Sequence, residues 1–419
     1  MATTKKTAHV SPKIKDSKSS KTLWASGTKK LNDYLLHLTK HFTVGNDPII
    51  DEELLPYDIE GSLAHARMLV KIGILTKKEM QTMEKACEEI LILWEKEQWH
   101  ITLDQEDGHT AIELYLTEHY GDLGKKIHTG RSRNDQSLIV MRLYQRDMMG
   151  TFTEGIDLLI SAFKKQSSSH MKVPMPGYTH MQRAMPTTVG TWLGSFADAL
   201  EDLKPSLFSL TTILDQSPLG SAAGFGITGI TLDRKFAAKE LGFATVQDNP
   251  IYCAYSRGEF ELRILEVLSP LLRLIGKFAA DLLLFTTTEY GFFSLGEEFS
   301  TGSSIMPQKR NQDVLELLRG SVGMFAGYRV QIEQIVTNKP SGYNRDFQLT
   351  KEPFMRSMDL GIACIEILSQ LIPTIVPNKS TLEKAMTPEL YATDAVLDLV
   401  KKGVPFRDAY VQVKKKLGL

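Results

Sequence analysis

Cysteine is scarce: Cys87, Cys253 and Cys364 are the only three in 419 residues, and no two stand in a CxxC arrangement. These cysteines suggest neither a disulfide framework nor a zinc site and fit reduced thiols in the cytoplasm. Net charge is also nearly absent: Lys+Arg 49 against Asp+Glu 50 leaves −1. The global balance therefore gives no reason to expect nucleic acid or an anionic membrane surface as partner. An uninterrupted apolar run of the ~20 residues a spanning helix needs is missing. The most apolar stretch, Ile264 to Thr286, is broken by Glu266, Arg273, Lys277 and Asp281 and reads as a buried core helix. The first residues lack the apolar h-region of a secretory signal. Period-2 alternation is nearly absent, which argues against a doubly wound sheet, and no internal repeat is evident. Disorder is excluded too, because 42% hydrophobic and 24% charged residues are ordinary for a folded soluble chain.

What is present is helical periodicity. Residues 1–22 are rich in Lys, Ser and Thr without any apolar period and read as a solvated tail; a transit peptide is the weaker reading, because the segment has no Arg. From Leu23 the pattern is mostly helix. Leu31, Tyr34, Leu35 and Leu38 recur at helical spacing, and Ile59, Leu63, Ala66 and Val70 share one face of a segment from Asp58 to Gly73. Thr76 with Glu79 forms a capping box, and a short helix spans Asp107 to Tyr120. Four long segments follow: Gln136 to His170, Thr188 to Leu214, Glu259 to Glu289 and Asp313 to Asn338. At about 1.5 Å per residue each exceeds ~30 Å. Their broadly apolar circumference calls for a long helical bundle.

Glycine and proline cluster in a few loops, which is where chemistry concentrates on a helical scaffold. In STGSSIMPQKRN (300–311), hydroxyls follow a glycine, and Lys309 and Asn311 stand two residues apart. That pattern suits an anion cradle beside a serine, or a polar loop whose serines cap a helix. HTGRSRNDQ (128–136) sets arginines at a helix start, which serves either as an anion site or as a cap with Arg–Asp pairing. GYTHMQ (177–182) presents His180 after a breaker, either as a structural residue or as a proton-transfer group. YNRDFQLTKE (343–352) offers Tyr343, Gln348 and Lys351 to a polar ligand or to solvent. Asp107, His109 and Glu113 have ligand-like spacing for a metal. No second His or carboxylate pair nearby in sequence completes a set, and an acidic first helical turn accounts for the same letters.

These motifs resemble a known family. GSSIMPQKRN resembles the shared signature of the aspartase/fumarase superfamily; HTGRSRNDQ, GYTHMQRA and YNRDFQ are similar to the argininosuccinate lyases within it, over about Asp58 to Phe406. The resemblance implies an all-α fold of three mostly helical domains, here 23–130, 131–378 and 379–419. The central helices would join a twenty-helix core in a homotetramer, with each site built from three subunits. It implies reversible cleavage of argininosuccinate to arginine and fumarate, with small molecules as the only other partners and no metal or organic cofactor. By the same resemblance Ser303 is the loop base, His180 the catalytic histidine, Glu316 its orienting carboxylate, and Lys309 and Asn311 hold the carboxylate where charge builds. Arg133, Asn134, Thr179, Tyr343, Gln348 and Lys351 match substrate-binding positions.

The chain also departs from the family pattern. Gln312 stands where Pro is usual, Met185 where Gln is usual, and NPIYCAYSR (249–257) differs from its counterpart. Asp47 lies nearest the position of an N-terminal substrate-binding serine. Because these changes concern the amino-acid end of recognition, an N-acylated argininosuccinate is an alternative substrate. Adenylosuccinate lyase is an alternative enzyme, and a crystallin-like structural protein an alternative of another class.

Overall fold

The computed structural model describes residues 33–418, so the reading placed on residues 1–22 lies outside the described residues. The chain is mostly helical, as the periodicity predicts. α1 (Asp33–Val44), α2 (Asp47–Lys71), α3 (Lys77–Glu95) and α4 (Gly108–Tyr120) come first. Their starts follow side-chain chemistry. Thr76 and Glu79 form the expected capping box, with Glu79 N donating to Thr76 Oγ1 at 3.2 Å and Thr76 N to Glu79 Oε2 at 2.8 Å. Asp107 caps α4 by accepting from Thr110 N at 2.8 Å. α2 begins earlier than the apolar face suggests, because Asn46 and Pro48 supply its N-terminus.

The bundle is built from α5 (Arg133–Ser169), α6 (Val189–Glu201), α7 (Lys204–Leu214), α10 (Glu259–Phe285), α11 (Asp313–Val336) and α12 (Lys351–Leu371), with the short α8 (Arg234–Glu240) and α9 (Pro250–Tyr255) between them. Its core is aromatic where α5, α6 and α10 meet: Phe278 lies 5.0 Å from Phe163, 5.0 Å from Phe196 and 5.6 Å from Trp192 between ring centroids. α5 and α12 approach closely because each opposes a glycine to a large side chain. A Cβ on Gly155 would lie 2.8 Å from Ile365, and one on Gly361 2.6 Å from Phe152. The stretch at Ile264 is a buried core helix, as expected, and among the described residues no helix is long and apolar enough to cross a membrane.

Two expectations differ from the structure. The segment from Thr188 to Leu214 is not one helix but α6 and α7, parted at Asp202 and Leu203. Pro205 explains the break: it lacks an N–H to continue α6 but suits the first turn of a new helix. The breaker-rich stretch after Val173 is not plain loop. It pairs as an antiparallel hairpin of β1 (Pro174–Thr179) and β2 (Gln182–Thr188). Prolines and a glycine in these strands erase the alternation that would reveal them.

A second core joins α2, α3 and α4 to Leu219, Ala237, Leu241 and Phe243 from the chain after α7. α13 (Lys379–Ala385) sends Leu382 and Ala385 into the bundle core, whereas α14 (Ala392–Lys401) and α15 (Phe406–Lys416) close a small cluster around Val396, Ala409 and Val413. If the aromatic junction carries the bundle, Phe278→Ala lowers unfolding stability by about 3–5 kcal/mol. Denaturant titration reads this directly, and a loss below about 1 kcal/mol contradicts it.

Candidate active site

Three of the sequence motifs, distant in the chain, meet around one polar cavity of ≈ 150 Å³. α2 supplies one wall. Asp47, Asp51, Leu54 and Asp58 fall on a single helical face because their spacings are near multiples of 3.6. The start of α5 supplies Arg133 and Asn134, fixed by a capping box in which Ser132 N donates to Asp135 Oδ1 at 2.8 Å. The helix is capped and its arginine is paired with acidic neighbours, as one reading of this loop expects, and Arg133 also lines the cavity. Arg133 lies 3.3 Å from Asp107 and 3.4 Å from Glu106, and donates to Thr110 Oγ1 at 2.8 Å. The segment before α12 supplies Tyr343 and Gln348, and the first residue of α12 supplies Lys351. Gln348 Nε2 donates to Thr43 O at 3.1 Å, and the guanidinium of Arg257 lies 5.8 Å from the Tyr343 ring.

Lys351 ties this wall together. It is buried, lies 3.1 Å from Asp47 and hydrogen-bonds Asp51. Burial opposes its charge, but Asp51 and Asp47 outweigh burial, so its pKa is raised. Burial raises the pKa of Asp47 in spite of the opposing charge of Lys351.

The remaining site residues lie outside this cavity. Thr179 and His180 are at the tip of the β1–β2 hairpin, where His180 and Met181 both take positive φ, 52° and 60°. That geometry suits a tight hairpin turn usually made by Asn or Gly, so two ordinary side chains are held there at a cost of about 1 kcal/mol each. Both Thr179 and His180 are exposed. The serine loop is pinched at its base by pairing of Thr301 with Asn311 and Gly302 with Arg310. Inside it Ser303 Oγ accepts from Met306 N at 3.0 Å and Ile305 N at 3.4 Å. Lys309 is exposed and makes no ion pair among the described residues. Glu316 lies exposed in the first turn of α11. No hydrogen bond joins it to His180 within the described residues.

The sequence reading passed over Asp51, Asp58, Arg257 and Arg345, all of which line the cavity. The spacing of Asp47, Asp51 and Asp58 on α2 was the available signal for two of them. Asp58 accepts from Ser62 Oγ at 3.2 Å and from Gln136 Nε2. Burial pushes its pKa up to about 6, outweighing Arg131 and the Gln136 bond. A carboxyl whose pKa rises on folding stabilises the fold when protonated, and that stability is lost as pH rises through the folded value. Relative to Asp58→Asn, the protein should therefore lose about 1–3 kcal/mol of stability between pH 4 and 7. Denaturation of both proteins across that range checks it, and a pH-independent difference contradicts it.

With this geometry in view, relatives are informative. A family of lyases matches residues 40–327. The chain is 42% identical over 376 residues to the argininosuccinate lyase of Sorangium cellulosum (strain So ce56), spanning 90% of this chain and 87% of that protein. It is also 42% identical over 377 residues to that of Thermotoga neapolitana, spanning 90% and 94%. A solved structure of EDDS lyase in complex with formate superposes at TM-score 0.78 and 26% identity, covering 91% of this chain and 76% of that one. The motifs, the helical bundle and these likenesses agree, and the chain belongs to the argininosuccinate lyase family of the aspartase/fumarase superfamily.

Proposed function

We propose that the protein cleaves argininosuccinate reversibly to arginine and fumarate, as a homotetramer in the cytoplasm serving arginine biosynthesis. The observation that carries this reading is the convergence of Arg133, Asn134, Tyr343, Gln348 and Lys351 on one cavity walled by the carboxylates of α2. A mixed wall of carboxylates and guanidinium groups suits the amino-acid end of the substrate, which bears an ammonium and a carboxylate. A free ammonium gains charge pairing there that an N-acylated amide forfeits, so argininosuccinate itself is preferred over an acylated form.

The chemistry assigns the remaining groups. A base removes the succinyl proton next to one carboxylate. The electron pair left behind spreads into that carboxylate and then forms the double bond of fumarate. The C–N bond breaks with its electrons going to the guanidino nitrogen, which takes up a proton and leaves as arginine. Ser303 is the proposed base. Two backbone N–H groups directed at its Oγ favour the ionised form. Lys309 and Asn311 stabilise the carboxylate as charge builds on it, each such donor worth on the order of 10²–10³ in rate. His180 is the catalytic histidine and Glu316 its orienting carboxylate, while Thr179 binds substrate beside it.

Because no hydrogen bond or ion pair joins His180 to Glu316 among the described residues, the pair is proposed to form between subunits. An apolar stripe on α11 supports assembly: Leu317 is 72% and Met324 56% exposed, and Gly320 and Gly327 lie on the same face with open space beside them. The three free, buried cysteines fit a reducing compartment.

Fumarate release, followed by absorbance with argininosuccinate and adenylosuccinate in separate assays, tests the reading. Release from argininosuccinate is expected. Release from adenylosuccinate alone overturns the substrate, and inactivity of a well-folded assembly on both favours a structural role. Ser303→Ala is expected to remove most turnover, at least about 10²-fold, while leaving folding and substrate binding nearly intact. Near-normal turnover places the base elsewhere.

A further inference from the structure

We propose that His109, His128 and Glu113 form a binding site for a divalent transition-metal ion of the zinc class at the edge of the polar cavity. His109 and Glu113 are four residues apart on α4 and so share a face. His128 comes from the turn that leads into α5 and closes the triangle. His109 Nε2 lies 2.9 Å from His128 Nδ1, and His128 Nε2 lies 2.8 Å from Glu113 Oε2. One ligand atom from each residue lies within 4.8 Å of the other two. In a tetrahedral zinc site with bonds near 2.0–2.1 Å, ligand atoms stand about 3.4 Å apart. Closing the triangle onto an ion therefore needs side-chain shifts of about an ångström, within the reach of rotamer adjustment.

The donor set selects the ion. Two imidazoles and one carboxylate, with one position left open, is a set that zinc, cobalt or nickel accepts, whereas magnesium and calcium favour oxygen alone. Two guanidinium groups, of Arg131 and Arg133, also act on His109. Those arginines face carboxylates of their own: Arg133 faces Glu106 and Asp107, and Asp58 and Asp135 act on Arg131. They therefore oppose a dication less than their number suggests.

The site also bears on the cavity, because His109 lines it together with Arg133 and Asn134. An ion held by His109 fixes that ring and adds positive charge at the cavity edge. The expected effect of zinc is therefore weaker substrate binding, a consequence that rests on the proposed function. Metal binding itself does not.

The test uses the full chain stripped with chelator, titrated calorimetrically with zinc sulfate, with bound zinc counted by mass spectrometry. One zinc per chain is expected with Kd on the order of 1–10 µM, and none for magnesium chloride. His128→Gln and Glu113→Gln, each checked for native helix content, should weaken zinc binding about tenfold or more. The His37–His41 pair on α1, with rings 4.2 Å apart, is the competing imidazole site, so a double alanine variant there should leave the high-affinity event intact. Absence of zinc binding at about 100 µM, binding unchanged in both His128→Gln and Glu113→Gln, or loss of binding with the α1 pair overturns the proposal. In each case His109, His128 and Glu113 are a hydrogen-bonded chain only.

Discussion

The site depends on one buried charge cluster. Lys351, the first residue of α12, sits between Asp47 and Asp51 on the first turns of α2, 300 residues away in sequence from Asp51. An ammonium moved out of water costs several kcal/mol unless paired, and two carboxylates placed alone at this spacing would repel each other. Each partner therefore requires the other. The cluster also fixes where α2 lies relative to the bundle. Once α2 and α12 are docked, Asp58 faces the start of α5, and Tyr343, Gln348 and Arg133 line the same cavity. Alternatives that leave Lys351 buried without partners are strongly disfavoured, so the same contact that shapes the cavity also specifies how the helices dock.

The local chemistry of the chain was legible. Thr76 with Glu79, Asp107 and Ser132 mark helix starts because short polar side chains satisfy orphan N–H groups, and neighbouring residues decide such contacts. The long apolar segments named the bundle for the same reason. What was not legible depends on partners far along the chain. The sequence around Lys351 suits a ligand-binding lysine and gives no sign of its pairing with Asp47 and Asp51 of α2. The hairpin around His180 was hidden because its prolines and glycine suppress alternation, and its turn uses two side chains that do not advertise positive φ. The break at Asp202 turns on Pro205, a local signal that the apolar pattern running through both helices masks. The proximity of His109 and Glu113 was visible as a helical spacing, but the third group, His128, stands beyond a turn where no periodicity leads to it.

The described chain gathers the groups proposed to bind the amino-acid end in one place and leaves the groups proposed for proton transfer elsewhere. Arg133, Asn134, Gln348 and Lys351 are held by a capped helix, a backbone hydrogen bond and buried pairs, which suits the proposed recognition role. His180 sits on a strained hairpin tip and Ser303 on a loop pinched only at its base, both largely unsupported by their own chain. The arrangement makes sense if other copies supply the support, because closure over substrate then forms the missing contacts and excludes water. The apolar stripe of α11, which begins just after the serine loop, would bring those copies to that end of the bundle.

The most direct test is complementation between two inactive proteins. His180→Ala and Ser303→Ala assemblies are dissociated, mixed, reassembled and assayed for fumarate release from argininosuccinate, with mixed composition verified by native mass spectrometry. If each site combines groups from different copies, some sites in the mixture contain neither substitution, and activity returns. Verified mixed assemblies that remain inactive would contradict the account, since both groups would then have to act from a single chain.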